Sequence, residues 1–321
     1  MWRERWHAGK LQARPLGRPV QRLSSETLRR IHDQLVVHGP GTGLATLQVI
    51  FPEVARRELK VQLARFRKKW LDEHKQLVES LRWTRPGAVW AMDFTEPDRP
   101  LEGPFTQVLL VRDLGSKRNL LWLPLERATG QAVFGALRTL IAKYGPPLVI
   151  KLDNAKAFDV PELQDLIEAL NVLYLKSPPY APWYNGSVES GIGTAKAYTH
   201  HAAARADHPE YWTCDDLEAG LRRANHYGRP EGLDGPSSDE VWMTRRPVTS
   251  AERDGFRQQV LERWAAIVTR EQKEQGGPLS KPTLARAVRD AIQWALTEEG
   301  ILEIRRRRIS PPIKRAKASN I

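Results

Sequence analysis

The feature that most constrains this chain is a change of apolar period near residue 88. Upstream of it apolar residues recur at helical spacing. From residue 88 to 95 they alternate, with Val89, Ala91 and Asp93 on one face and Trp90, Met92 and Phe94 on the other. Two apolar runs follow, 105–111 and 120–125. The segment Gly115-Ser116-Lys117-Arg118-Asn119 between them predicts an antiparallel hairpin. Thr129 then caps a helix whose stripe is Val133, Phe134, Leu137, Leu140, Ile141 and Tyr144, stopped by Gly145-Pro146-Pro147. Residues 148–152 read as a short buried parallel strand, Pro161 as the start of a helix, and 172–175 as another strand. Beyond the proline-rich loop 177–182 a helix begins at about Gly186 or Ser187. The order β-β-β-α-β-α-β-α predicts an α/β fold, a mixed sheet with helices on its faces.

The flanks have a different character. Residues 1–23 are basic and rich in Pro and Gly, as expected of an arm. Ser24-Ser25-Glu26 opens a helix with the stripe Leu28, Ile31, Leu35 and Val36, which ends at Gly39-Pro40-Gly41. A second helix is expected over 44–51. A third starts at Pro52-Glu53, with Val54, Leu59, Leu63, Phe66 and Trp70 inside and Arg56, Arg57, Lys60, Arg67, Lys68 and Lys69 among its outer residues. Three short helices with a basic last one predict a helix-turn-helix module; a plain helical bundle with charged faces is the alternative. Residues 82–87 read as a linker. After the core, helices are expected near 215–225, 250–272 and 282–297, followed by the basic run Arg305-Arg306-Arg307-Arg308. The expected division is therefore 1–85, an arm and DNA-binding module; 86–248, an α/β core; and 249–321, a helical region with a basic tail.

Charge points to a polyanion. The chain of 321 residues has a net charge of +12, and the charge is uneven. Residues 1–82 carry a net +9, residues 267–321 a net +6, and the stretch between a net −3. Basic flanks around an acidic middle suit nucleic acid first and an anionic membrane second. No run of about 18 apolar residues predicts a membrane span, and the first residues carry no apolar signal core. A single cysteine, Cys214, excludes an internal disulfide and any zinc site of several thiolates, and fits a reducing compartment. A cytoplasmic protein is expected.

Three carboxylates stand out by context. Asp93 lies in the first core strand. Asp153 follows a buried strand, at the carboxyl end where open α/β sheets place their sites. Glu189 sits in the first turn of the helix after the proline-rich loop, with 35 residues between it and Asp153. Asp113 reads as turn chemistry, Asp159 as a helix cap, and Glu96 and Asp98 as loop acids.

The stretches around these acids are Trp90-Ala91-Met92-Asp93-Phe94-Thr95, Leu152-Asp153-Asn154-Ala155-Lys156-Ala157-Phe158 and Ser177-Pro178-Pro179-Tyr180-Ala181-Pro182-Trp183-Tyr184-Asn185-Gly186-Ser187-Val188-Glu189. Together with Asn225-His226-Tyr227-Gly228-Arg229-Pro230 and Gly235-Pro236-Ser237-Ser238-Asp239-Glu240, they resemble the DDE superfamily of retroviral integrases and bacterial insertion-sequence transposases. The resemblance covers roughly residues 88–245 and implies a ribonuclease H-like core. It departs from the usual pattern at Ala155, where the family often has Gly, and in lacking an N-terminal His/Cys zinc module.

The resemblance implies that Asp93, Asp153 and Glu189 hold two Mg2+ or Mn2+ ions and catalyse cleavage and joining of DNA strands. Magnesium takes hard oxygen ligands, and two ions about 3.5–4 Å apart stabilise the attacking and leaving oxygens of an in-line displacement. Asp93 is then the bridging ligand. Lys196, seven residues after Glu189 and on the same side of its helix, resembles the family's DNA-contacting lysine. Asn154 contacts DNA, orients a ligand or serves the turn. Arg56, Arg57, Lys60, Arg67, Lys68 and Lys69 are candidate contacts to phosphates or base edges, and Arg305, Arg306, Arg307 and Arg308 a DNA-binding strand or tail. The implied partner is double-stranded DNA, both element ends and target, handled by a homo-oligomer in the bacterial cytoplasm. The rival readings are an inactive DNA-binding regulator or targeting factor on the same fold, and a nuclease that cuts without joining.

Overall fold

The structure, a computed structural model, describes residues 2–9, 23–153, 155–178, 182–311 and 313. It divides into two compact units, Met1–Leu77 with Arg308–Ile321, and Val78–Arg307.

The smaller unit contains α1 (Trp2–His7), α2 (Ser25–His38), α3 (Leu44–Ile50) and α4 (Arg56–Glu73). The Ser24 hydroxyl accepts the Thr27 N–H at 3.1 Å and fixes the start of α2, as its position predicts. Ile31, Leu35, Leu47, Phe51, Val54, Leu59 and Leu63 form the core. The last helix starts at Arg56, later than Pro52. Phe51 and Val54 are drawn into the core, and the Gln48 side chain donates to the Val54 carbonyl at 3.1 Å, which holds 51–55 as a turn.

The larger unit takes in β1 (Gln76–Trp83) from Val78 on, then β2 (Val89–Thr95), β3 (Gln107–Asp113), β4 (Asn119–Leu125), α5 (Gly130–Tyr144), β5 (Val149–Leu152), α6 (Pro161–Ala169), β6 (Leu173–Lys176) and α7 (Gly186–Arg205). Then come α8 (Cys214–Tyr227), α9 (Ser238–Met243), α10 (Ser250–Gln275), α11 (Lys281–Glu298) and β7 (Leu302–Ile309). The main sheet has the order β4-β3-β2-β5-β6. β2 pairs antiparallel with β3 and parallel with β5, and β5 pairs parallel with β6. A mixed sheet with helices on both faces and β2 at its centre is the ribonuclease H-like arrangement that the resemblance implies.

Strand alternation divides the core between the two faces. Trp90, Met92, Ile150 and Leu152 pack with Val133, Leu137 and Leu140 of α5 and Leu163 and Ile167 of α6. Val89, Ala91, Val149 and Leu175 share the other core with Val188 and Ala195 of α7, Leu217 of α8, Phe256 and Val260 of α10, and Ile292 and Leu296 of α11. The helices after residue 248 are thus built into the core, where a separate C-terminal region was expected. Arg253 holds α10 in place by donating to the Leu170 and Val248 carbonyls at 2.7 and 3.0 Å.

At the edges of this unit one element differs from expectation and one keeps to it. Residues 82 and 83, read as linker, belong to β1, and Arg305–Arg308, read as strand or tail, lie in β7. The two strands pair in a small sheet. Ile301 and Leu302 are buried at its base, and the Ser80 hydroxyl donates to the Arg305 carbonyl at 3.3 Å.

Candidate active site

Asp93 and Asp153 come from adjacent parallel strands. The register pairs Ala91 with Lys151, so each acid lies two residues further along its own strand. Two residues is one full strand repeat, so both carboxylates emerge on the face that α7 covers, at the carboxyl ends of β2 and β5. Glu189 is exposed in the first turn of α7. The Asp93 Oδ1 accepts its neighbour Phe94 N–H at 2.8 Å, and Asp153 Oδ1 accepts the Ala155 N–H at 2.9 Å. Among the described residues the second oxygen of each has no hydrogen bond.

Burial pushes the Asp93 carboxyl up from 3.8 to about 6, and the charges of Asp153 and Glu189 push the same way. The three acids therefore share one electrostatic site. Hard carboxylate oxygens under mutual repulsion fit a divalent cation in donor chemistry. Their spacing is more open than coordination requires: among the described residues no three His, Cys, Asp or Glu side chains come close enough to hold one ion.

Lys151, on β5, lies beneath the acids and was not singled out in the sequence. It is almost fully buried, 3% exposed. Its Nζ donates to Ser177 Oγ at 3.2 Å and to Asn185 Oδ1, and sits 4.6 Å from the centroid of the Tyr184 ring. Burial lowers its ammonium from 10.5 to about 8, while Asp93, Asp153 and Glu189 all pull it back up. The only signal in the sequence is a lysine in the inward register of an otherwise apolar strand. Tyr184 in turn accepts a hydrogen bond from Gln293 of α11 at 3.0 Å, so the C-terminal helices brace the entry to α7.

Lys196 projects from α7 and forms an ion pair with Asp98 at 2.7 Å. Asn154 lies outside the described residues. Arg56, Arg57, Lys60, Lys68 and Lys69 are exposed on α4. Arg67 is committed elsewhere: its guanidinium donates to the Pro40 and Thr42 carbonyls at 2.9 and 2.8 Å, clamping the loop between α2 and α3. Arg305 pairs with Glu303 at 2.8 Å, Arg306 and Arg308 are exposed, and the Arg307 side chain lies outside the described ones. Asp113 is a turn residue as its position predicts; it accepts from Ser116 N, Ser116 Oγ and Gly87 N at 2.7, 2.6 and 2.8 Å.

The motif at 225–240 has a structural job. The buried Asn225 amide makes a two-way bond with the backbone of Asn119, accepting its N–H at 2.9 Å and donating to its carbonyl at 2.8 Å. Ser237 and Glu240 form a capping box on α9, and Asp239 pairs with Arg118 at 2.7 Å. The motif thus ties α8 and α9 to the β3–β4 hairpin.

Residues 84–182 match the family of the integrase core domain. The chain is 34% identical over 126 residues to the Gag-Pol polyprotein of Avian reticuloendotheliosis virus, which covers 38% of this chain and 10% of the polyprotein. The chain thus spans about a tenth of that relative's length. Similar solved structures include the catalytic core domain of BIV integrase, at a TM-score of 0.40 and 20% identity, covering 49% of this chain and 94% of that one. The HTLV-2 integrase catalytic core domain in complex with magnesium gives a TM-score of 0.40 and 18% identity, covering 50% and 99%. The match to the integrase core domain, over residues 84–182, falls on the strands and sequence motifs that hold Asp93 and Asp153.

Proposed function

We propose that this chain is a transposase or integrase that cleaves DNA strands and joins them by in-line phosphoryl transfer at Asp93, Asp153 and Glu189. The observation that carries this reading is the pair Asp93 and Asp153, side by side at the ends of β2 and β5, with the Asp93 carboxyl raised by burial first and then by both other acids. Asp93, Asp153 and Glu189 would hold the two divalent ions through their carboxylate oxygens. When bound, the ions lower the pKa of an attacking water or 3′-hydroxyl and neutralise charge on the phosphate. Lys151 offsets part of the acid charge from below without occupying a carboxylate oxygen. Lys196 exchanges Asp98 for a DNA phosphate beside the site. The exposed basic residues of α4 hold the double helix through its phosphates and grooves, and Arg306 and Arg308 add phosphate contacts. Two DNA ends and a target require more than one copy of the chain on the DNA.

Supercoiled plasmid incubated with Mg2+ or Mn2+ tests this reading. Wild type is expected to nick it only with metal, and Glu189→Gln, an exposed and nearly isosteric change, to abolish nicking. Equal nicking by both proteins would remove Glu189 from the chemistry. Tight DNA binding without nicking by either would favour a DNA-binding regulator.

A further inference from the structure

On the side of α7 away from Glu189 lies a cavity of 520 Å³ within the larger unit. Ser187, Ser190, Thr194 and Tyr198 line it at the spacing of one helical stripe, while Glu189 falls on the other side of the helix. The cavity reaches Arg112 of β3. Arg112 is 4% exposed, and neither its Nε nor its Nη1 has a hydrogen-bond partner. A buried guanidinium without acceptors is rare, because its desolvation is offset only by acceptors or an anion. Burial lowers its pKa from 12.5 to about 10.

Further observations point to an anion site here. The guanidinium lies across Gly191, where a Cβ would stand 2.1 Å from Nη1, so α7 carries its smallest residue at the place Arg112 occupies. The Ser187 hydroxyl, in the first turn of α7, is buried and also without a partner. Gly186 and Ser187 bring the amino end of a 20-residue helix to the cavity, where the helix dipole favours negative charge. The cations at the rim are already matched: Lys117 pairs with Glu231 at 2.6 Å and Arg305 with Glu303 at 2.8 Å. Arg112 is the lining cation that forms no ion pair among the described residues, although the Asp113 charge reaches it.

We propose that this cavity is a binding site for a phosphate group, held by the Arg112 guanidinium, the Ser187 hydroxyl and the first turn of α7. A tetrahedral oxyanion supplies the several acceptors that a guanidinium fork and a helix N-terminus need together. The site is distinct from the three acids but shares α7 with Glu189, so its occupancy stiffens the turn that carries that acid. The proposal does not depend on DNA cleavage by the chain.

Thermal unfolding of the full chain, without divalent metal, tests it. Inorganic phosphate is titrated against chloride at matched pH and ionic strength. A ligand that binds only the folded state raises the midpoint in a saturable way. Wild type and Glu189→Gln are expected to show such a rise with phosphate and not with chloride. Arg112→Gln is expected to lose it, and Ser187→Ala, a milder change that keeps the fold, to need several-fold more phosphate. Equal midpoints in phosphate and chloride for wild type would overturn the proposal. So would a full phosphate response in both Arg112→Gln and Ser187→Ala. A saturating unrelated DNA duplex then identifies the source of the group: loss of the phosphate response means that the site takes a backbone phosphate, and an additive response means that it takes a small phosphate-bearing ligand.

Discussion

Replacing Asp93 by Asn should stabilise the metal-free protein, and by an amount that depends on pH. Asp93 titrates at about 6 when folded, against 3.8 for the free side chain. The folded state therefore holds its proton more tightly than the unfolded state. Wild type keeps this contribution below pH 4, loses it as pH rises from 4 to 6, and is level above that. The difference between the two values corresponds to about 3 kcal/mol. Asn at this position has no charge to bury and can still accept the Phe94 N–H. Asp113, which burial also raises to about 6, titrates in both proteins and cancels in the difference. Urea unfolding in EDTA at pH 4, 5, 6 and 7 measures this directly. The advantage of Asp93→Asn over wild type should grow by about 2.4 kcal/mol from pH 4 to pH 7, because the unfolded-state carboxyl is already partly ionised at pH 4. Added Mg2+ should then narrow the gap, because only wild type has the full acid set to bind it. A gap that is constant with pH, or a variant that loses stability as pH rises, would refute the claim that Asp93 is buried beside like charges.

Lys151→Met removes the cation beneath the acids, so the Asp93 carboxyl should move further above 6 in an NMR titration; a value that falls would contradict the charge-balancing role. Asn225→Ala leaves the backbone N–H and carbonyl of Asn119 buried without partners and should cost about 3 kcal/mol in denaturant unfolding. Arg67→Ala should destabilise the smaller unit by roughly 1–2 kcal/mol, because two loop carbonyls lose their donor. Lys60→Ala should leave stability within about 0.5 kcal/mol but weaken DNA binding and lower its salt dependence by about one ion.

Much of the core could be read from the chain because its signals are local. Alternation over 89–95, the Thr129 cap with Gly145 at the other end, and Pro161 at the first turn of α6 are each set by neighbouring residues, and the structure has them there. The three candidate acids stand beside equally clear local patterns: Asp93 within β2, Asp153 just after β5 and Glu189 in the first turn of α7. What escaped depends on distant partners. β1 and β7 are strands only because they pair, and Ser80 meets Arg305 225 residues away. Neither has a core face long enough to show alternation. α10 and α11 carry amphipathic patterns that do not say which core they join. Lys151 in an apolar strand and Arg112 at the end of another looked unremarkable, since only the fold shows that the first lies under three acids and the second faces a cavity. Arg67 resembled its neighbours on α4 until the loop carbonyls it holds came into view.

The most direct test of the central claim is strand joining. A labelled DNA duplex with a free 3′-hydroxyl, offered with a target plasmid, Mn2+ and the full chain, should yield covalently joined product with wild type. None should form with Asp93→Asn, Asp153→Asn or Glu189→Gln, although all three remain folded and bind DNA. Joined product from any of these variants at the wild-type rate would contradict the assignment of that acid to the reacting site.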